Sequence, residues 1–146
     1  FAANTGKGSN YSSVLYFEQE YFIGITENTE TTENEIILFD KELNRLDIKN
    51  LTNAHIPTLP KSLAKNEKEN VFAIPAYFTD GLKRCYGVIT FEIKNNHIVL
   101  TNEFKNENSD MMYQGNCIII NDYVYNVETN DFLADDKKVK IFSYKY

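Results

Sequence analysis

Two acidic residues stand directly after a repeated phenylalanine: Asp40 follows Phe39, and Glu92 follows Phe91. Hydrolysis of a glycosidic bond needs two carboxylates facing each other across about 5 to 10 Å, one of them protonated as the general acid. The third copy of the phrase carries Ser143 after Phe142, so the acid is not kept there. A residue that recurs at one place in successive units reads as part of the framework, not as half of a unique catalytic pair. A second acidic group, Asp131, Asp135 and Asp136 with Glu128 close by, falls in one polar stretch. Clustered carboxylate oxygens on a loop suit Ca²⁺, but the spacing is not that of an EF-hand. Lys137 and Lys138 follow at once, so a solvated loop is expected there.

Other reactive side chains are sparse. His55 and His97 are the only histidines and lie in unrelated contexts, the first near Pro57 in a connection and the second at a hairpin turn. An imidazole used in catalysis or metal binding needs partners converging on it, and the sequence signals none. Cys85 and Cys117 have no metal or redox spacing; they pair or stay as thiols, and small buried thiols are the favoured reading. There is no nucleophile elbow and no phosphate-binding glycine loop. Tyrosines such as Tyr11, Tyr16, Tyr77, Tyr86, Tyr113 and Tyr125 offer a binding surface, although at strand positions half-buried packing is their commoner use. No catalytic, cofactor-binding or metal-ligating residue is therefore assigned, and no cofactor is expected. Asn10 and Asn50 open glycosylation triplets that read as chance matches in so Asn-rich a chain.

Composition narrows the classes further. The formal net charge of −6 sets the chain against phosphate backbones and anionic lipid, so no nucleic-acid partner is expected. No apolar run approaches the roughly 18 residues that cross a bilayer as a helix, so no transmembrane segment is expected in this piece. With 42% hydrophobic residues the 146-residue chain has enough apolar material for a sizeable core, which excludes disorder. Its opening on Phe1 is expected of a processed or excised piece.

The elements that must position these side chains are strands. Ile36-Ile37-Leu38-Phe39-Asp40, Val88-Ile89-Thr90-Phe91-Glu92 and Val139-Lys140-Ile141-Phe142-Ser143 are runs of β-branched and aromatic residues. Phe39 and Phe91 are 52 residues apart, and Phe91 and Phe142 are 51 apart. A period on the order of 40 to 50 residues in an all-strand chain points to propeller blades or a related array. After a loose lead-in over residues 1–10, the first unit reads as strands over residues 12–17, 21–26, 35–40 and 45–48. The second has a weak strand over 62–64, then 71–78, 84–93 and 98–104; Pro75 should fall where no ladder bond is needed. The third has 117–120, 123–127 and 139–144, with residues 128–137 as a polar loop and no fourth strand. The fold expected is all-β: a partial β-propeller of about two and a half to three four-stranded antiparallel blades, with repeats over roughly 11–50, 59–105 and 111–146.

In order, Leu15-Tyr16-Phe17 with Tyr21-Phe22-Ile23-Gly24-Ile25, then Leu59-Pro60-Lys61-Ser62-Leu63 with Asn70 to Pro75, resemble the last blades of the secreted β-propeller proteins of bacteria and archaea. Tyr86-Gly87-Val88-Ile89-Thr90-Phe91-Glu92 is similar to that family's strand with a glycine before an apolar run, and residues 117–125 to its closing hairpin. Asn116 and Cys117 stand where the family usually has an Arg-Ser pair. The resemblance implies the C-terminal segment of a secreted or cell-surface propeller.

The function expected is a non-catalytic scaffold or binding module, with carbohydrate and protein both open as ligand. The alternative is part of a propeller-type carbohydrate-active enzyme whose catalytic residues lie on missing blades. A third reading, a self-contained β-sandwich, needs two sheets in place of a radial series. Three units of about 51 residues do not close a ring, so an open apolar face is expected at each end, with residues 139–144 as an unpaired edge. The expected partners are the remaining blades of a longer chain or a second copy of this one.

Overall fold

The computed structural model describes residues 14–18, 21–28, 30–56, 63–66, 68–80, 83–106, 116–129 and 139–146. These residues are all-β, in three antiparallel sheets. The first comprises β1 (Val14–Glu18), β2 (Tyr21–Glu27), β3 (Asn34–Asp40) and β4 (Arg45–Leu51), hydrogen-bonded in that order. The second takes β5 (Ala54–His55), β6 (Ala64–Lys65), β7 (Val71–Asp80), β8 (Lys83–Lys94) and β9 (His97–Asn106) in the order β5-β7-β8-β9, with β6 also on β7. The third is β10 (Cys117–Ile120), β11 (Tyr123–Thr129) and β12 (Val139–Lys145).

Short turns set these meanders. Asn95 and Asn96 both take left-handed backbone angles, φ 52° and 64°, the requirement of the two-residue hairpin turn that joins β8 to β9. In the Asn121-Asp122 turn between β10 and β11, Asn121 takes a left-handed angle, φ 53°. Between β3 and β4 the Asp40 carboxylate closes the turn, accepting from the Asn44 amide nitrogen at 2.8 Å and from its side chain at 2.9 Å. These donors hold the Asp40 carboxyl below the usual range.

The sheets stack face to face in chain order. Ile23, Ile25, Ile36 and Leu38 of the first sheet pack with Phe72, Ile74, Ile89 and Phe91 of the second in one core. Ala73 and Val88, on the other face of the second sheet, pack with Cys117 and Val124 of the third. Where β7 runs between the two covering sheets, over residues 71–76, neither of its faces is solvated, which is why it reads as a continuous apolar run. Side chains pin the first pair of sheets together: Asn34 Oδ1 accepts from the Ile56 amide, Asp47 Oδ2 accepts from the Ile98 amide at 2.8 Å, and the Tyr21 hydroxyl donates to Asn96 Oδ1 at 3.0 Å.

Phe39, Phe91 and Phe142 lie on the third strands of their sheets, β3, β8 and β12. Strand alternation turns Phe91 and Phe142 toward the preceding sheet, and Phe39 to the face away from the second sheet. Phe39 and Phe91 are fully buried; Phe142 is only half-buried. A β-bulge falls immediately before Phe39, between β3 and β4, and another immediately before Phe91, between β8 and β9.

Several boundaries differ from the sequence reading. The hairpin of β7 and β8 is longer than expected, pairing as far as Asp80 with Lys83, so Thr79 and Asp80 belong to the ladder. The connection after β4 supplies two short edge strands where one was expected, and it puts His55 in β5. Pro75 lies between them. Thr79 donates to the Asn53 carbonyl and Val71 accepts from the Asn66 amide, so odd-numbered residues of β7 direct their backbone groups toward this edge. β5 covers residues 77 and 78 and β6 covers 72 and 73, which leaves the nitrogen of Pro75 facing a gap, as its missing donor requires. An open apolar face was expected at both ends of the stack. On the first sheet Ile37 and Phe39, on the outward side, are already buried, so among the described residues the open apolar face is the outer one of the third sheet. The lead-in, residues 57–62 and the start of the third unit near Met111 lie outside the described residues.

Candidate functional site

The least expected side chain in the core is Glu128. The sequence reading placed it at the head of a solvated acidic loop; β11 instead continues through it to Thr129, and alternation along that strand points it inward with Val124 and Asn126. It is fully buried. Carboxylates are buried only with hydrogen-bond partners, and two carboxamides supply them here: Asn106 Nδ2 from the end of β9 and Asn126 Nδ2, at 3.0 Å, both donate to Glu128 Oε1. The Tyr144 hydroxyl lies close enough for this charge to act on it, and its pKa is raised well above the ordinary value of 10.0, chiefly by burial and secondly by Glu128. The Tyr144 hydroxyl and Asn126 Oδ1 have no hydrogen-bond partner. The cluster ties the second sheet to the third, and one carboxylate held by amides is not the opposed pair that glycoside hydrolysis requires.

Beside it runs an aromatic row across the second sheet. His55 stacks on its cross-strand neighbour Tyr77, ring centroids 4.9 Å apart and planes within 15°. Tyr77 meets Tyr86 at 6.2 Å, and the Arg84 guanidinium lies 6.0 Å from the Tyr77 ring. All three rings are half-buried. Tyr86 pairs across the ladder with Asn106, so the row ends at the buried carboxamides. Half-exposed rings beside a cation and amides are the ingredients of sugar recognition, an apolar face with polar groups at its rim.

The remaining sequence candidates are dispersed. Asp40 is occupied with Asn44, and Glu92 forms an ion pair with Lys94. The two acids belong to different sheets, and an open cleft of about 220 Å³ lined by Tyr21, Asp40, Lys41, Glu42, Leu46 and Asn96 holds the first without the second. His97 lies exposed 3.6 Å from Asp47 Oδ2. Cys85 and Cys117 form no disulfide; the Cys117 thiol donates to the Ala73 carbonyl at 3.3 Å. Among the described residues no three His, Cys, Asp or Glu side chains gather as a metal site. Asp131, Asp135 and Asp136, with Tyr11 and Tyr113, lie outside the described residues. No helix among the described residues is long and apolar enough to cross a membrane.

The third sheet also presents a surface. The outer face of the third sheet presents Ile118 and Ile120 at 51% exposure, Val139 at 61% and Ile141 at 67%, with Tyr123 at 41%. No family model, no curated protein and no solved structure matches the chain.

Proposed function

We propose that this chain is a non-catalytic scaffold or binding module made of successive propeller-type blades, and part of a secreted or cell-surface protein. The observation that carries the reading is the bulge before Phe39 and the bulge before Phe91. Each occurs between the third and fourth strands of its sheet, with the extra residue on the fourth strand, 52 residues apart in sequence. Bulges re-aim a strand and increase its twist; the same device at the same place in consecutive stacked meanders supports one repeated unit. The half-exposed row of His55, Tyr77 and Tyr86 supports carbohydrate as the ligand class. The secreted or surface location rests on the resemblance of the strand phrases to secreted propellers. In the alternative reading, part of a carbohydrate-active enzyme, a carboxylate of this chain would have to meet a second one on blades outside it.

A panel of oligosaccharides titrated into the protein, read for both binding and cleavage, tests this. Saturable binding that weakens at least about tenfold in Tyr77→Ala, without cleavage, is the expected result. Cleavage of any member of the panel overturns the non-catalytic reading; the absence of binding across the panel overturns carbohydrate as the ligand.

A further inference from the structure

We infer that the outer face of the third sheet is a self-recognition surface on which a second copy of this chain docks face to face. Along β11 the inward set is Val124, Asn126 and Glu128, while the outward set begins Tyr123, Tyr125 and Val127. The strand thus turns its more apolar side to solvent, the reverse of the usual binary pattern. Its neighbours agree: Ile118 pairs beside Tyr125, and Ile141 beside Val127. Lys145 is the only charged side chain on this face among the described residues, at one corner, in a chain whose formal net charge is −6. An apolar, nearly uncharged patch of this kind marks an interaction site.

The occupant follows from the other faces. Within the chain, sheets bury apolar faces by stacking, first on second and second on third. Head-to-tail continuation would need the outward face of another copy's first sheet, and there Ile37 and Phe39 are already buried. The third sheet's outer face is the one open apolar sheet face among the described residues, so its match in a second copy is itself. Such a contact is isologous and closes as a twofold dimer, without growing into a filament. Two strands of seven residues and one of four, about 4.8 Å apart, cover roughly 290 Å². That is under half of the ~800 Å² per partner of a standard interface, so the dimer should be weak and reversible.

The rival mode is pairing along the edge of β12 that no described strand covers. Tyr146 donates to the Asp122 carbonyl, so even-numbered residues of β12 aim their amides at β11 and Ser143 aims its amide outward. Ser143→Pro therefore blocks edge pairing while sparing the internal ladder, and Ile141→Glu places a charge on the face, beside Val127 of the central strand.

The proposal uses the stacking of the sheets and not the ligand reading, so a glycan result in either direction leaves it standing. Sedimentation velocity from about 1 to 200 µM on the 146-residue chain and both variants, with thermal melts to confirm that each variant folds, is the test. The expected result is a concentration-dependent dimer in the parent and in Ser143→Pro, weakened at least about tenfold in Ile141→Glu. A parent that stays monomeric throughout overturns the proposal and leaves the face to a different partner. Loss of the dimer in Ser143→Pro, or its persistence in Ile141→Glu, also overturns it.

Discussion

Phe104 and Tyr144 stack across the boundary between the second and third sheets, ring centroids 4.7 Å apart and planes within 12°. The contact holds the Tyr144 hydroxyl inside, without a hydrogen-bond partner and near the Glu128 carboxylate. The ring stabilises the interface while its hydroxyl opposes it.

Tyr144→Phe keeps the stacked ring and removes the orphaned hydroxyl, so stability at pH 7 should hold or rise by up to about 1 kcal/mol. The pH dependence follows from the raised pKa. In the unfolded chain the tyrosine ionises near pH 10, while the folded protein retains the proton, so the folded state binds more protons above pH 10 and loses stability as pH rises. Urea midpoints from pH 8 to 11.5 should fall less steeply for the variant. Identical alkaline slopes would show that the hydroxyl is solvated.

Asn106 gives the buried carboxylate an amide donor. Asn106→Ala should cost about 1.5 to 3 kcal/mol, the range for hydrogen bonds to a charged group. Glu128→Gln, which can still accept a hydrogen bond but carries no charge, should cost less. A chemical-denaturation series in which Asn106→Ala is neutral would place the carboxylate's main support elsewhere.

Gly87 has no room for a side chain. A Cβ built on it would lie 1.8 Å from the Phe104 carbonyl oxygen and 2.9 Å from its carbon, both backbone atoms of the adjacent strand. Gly87→Ala should therefore force β8 and β9 apart and cost about 3 kcal/mol or more. A melting temperature within a degree of the parent's would mean that the strands separate easily there.

Leu43 takes a left-handed backbone angle, φ 66°, in the turn closed by Asp40 and Asn44. Leu43→Gly should raise stability by about 1 kcal/mol, since the conformation carries a steric penalty for a residue with a Cβ. An unchanged or lower denaturation midpoint would mean that packing of the half-buried Leu43 side chain outweighs the strain.

The strands were legible because their residues agree at several levels. Ile36 to Phe39 form an unbroken apolar run because both faces of β3 are covered, and Asn95-Asn96 and Asn121-Asp122 announce their turns. Stacking of the sheets in chain order followed from the period of the phenylalanine phrases. The buried carboxylate was not legible. Glu128 follows Val127 in a polar stretch, and simple alternation would have buried Tyr123, Tyr125 and Val127 in place of Val124, Asn126 and Glu128. The face was decided by groups distant in sequence: Cys117 and Tyr144 pack toward the second sheet, and Asn106, 22 residues away, supplies the amide. The weak signal available was polar Asn126 two residues before Glu128, which places the two side chains on one face. His55 was similarly hidden, because a two-residue strand is too short to show a period and its stacking partner Tyr77 lies on another strand.

Each long strand pairs with the strand next to it in sequence, and this shapes how the protein folds. Contacts between chain neighbours need little loop closure, so the sheets should form quickly for an all-β protein, hairpin after hairpin. As the chain leaves the ribosome, the first sheet can complete its ladder before β7 exists. Its inward side, Ile23, Ile25, Ile36 and Leu38, then waits for Phe72 and Ile74. The exposed interval lasts for the synthesis of the connection after β4, about 20 residues or one to four seconds at typical elongation rates. During that interval, more than in the finished fold, the nascent chain is open to capture by chaperones or by other chains.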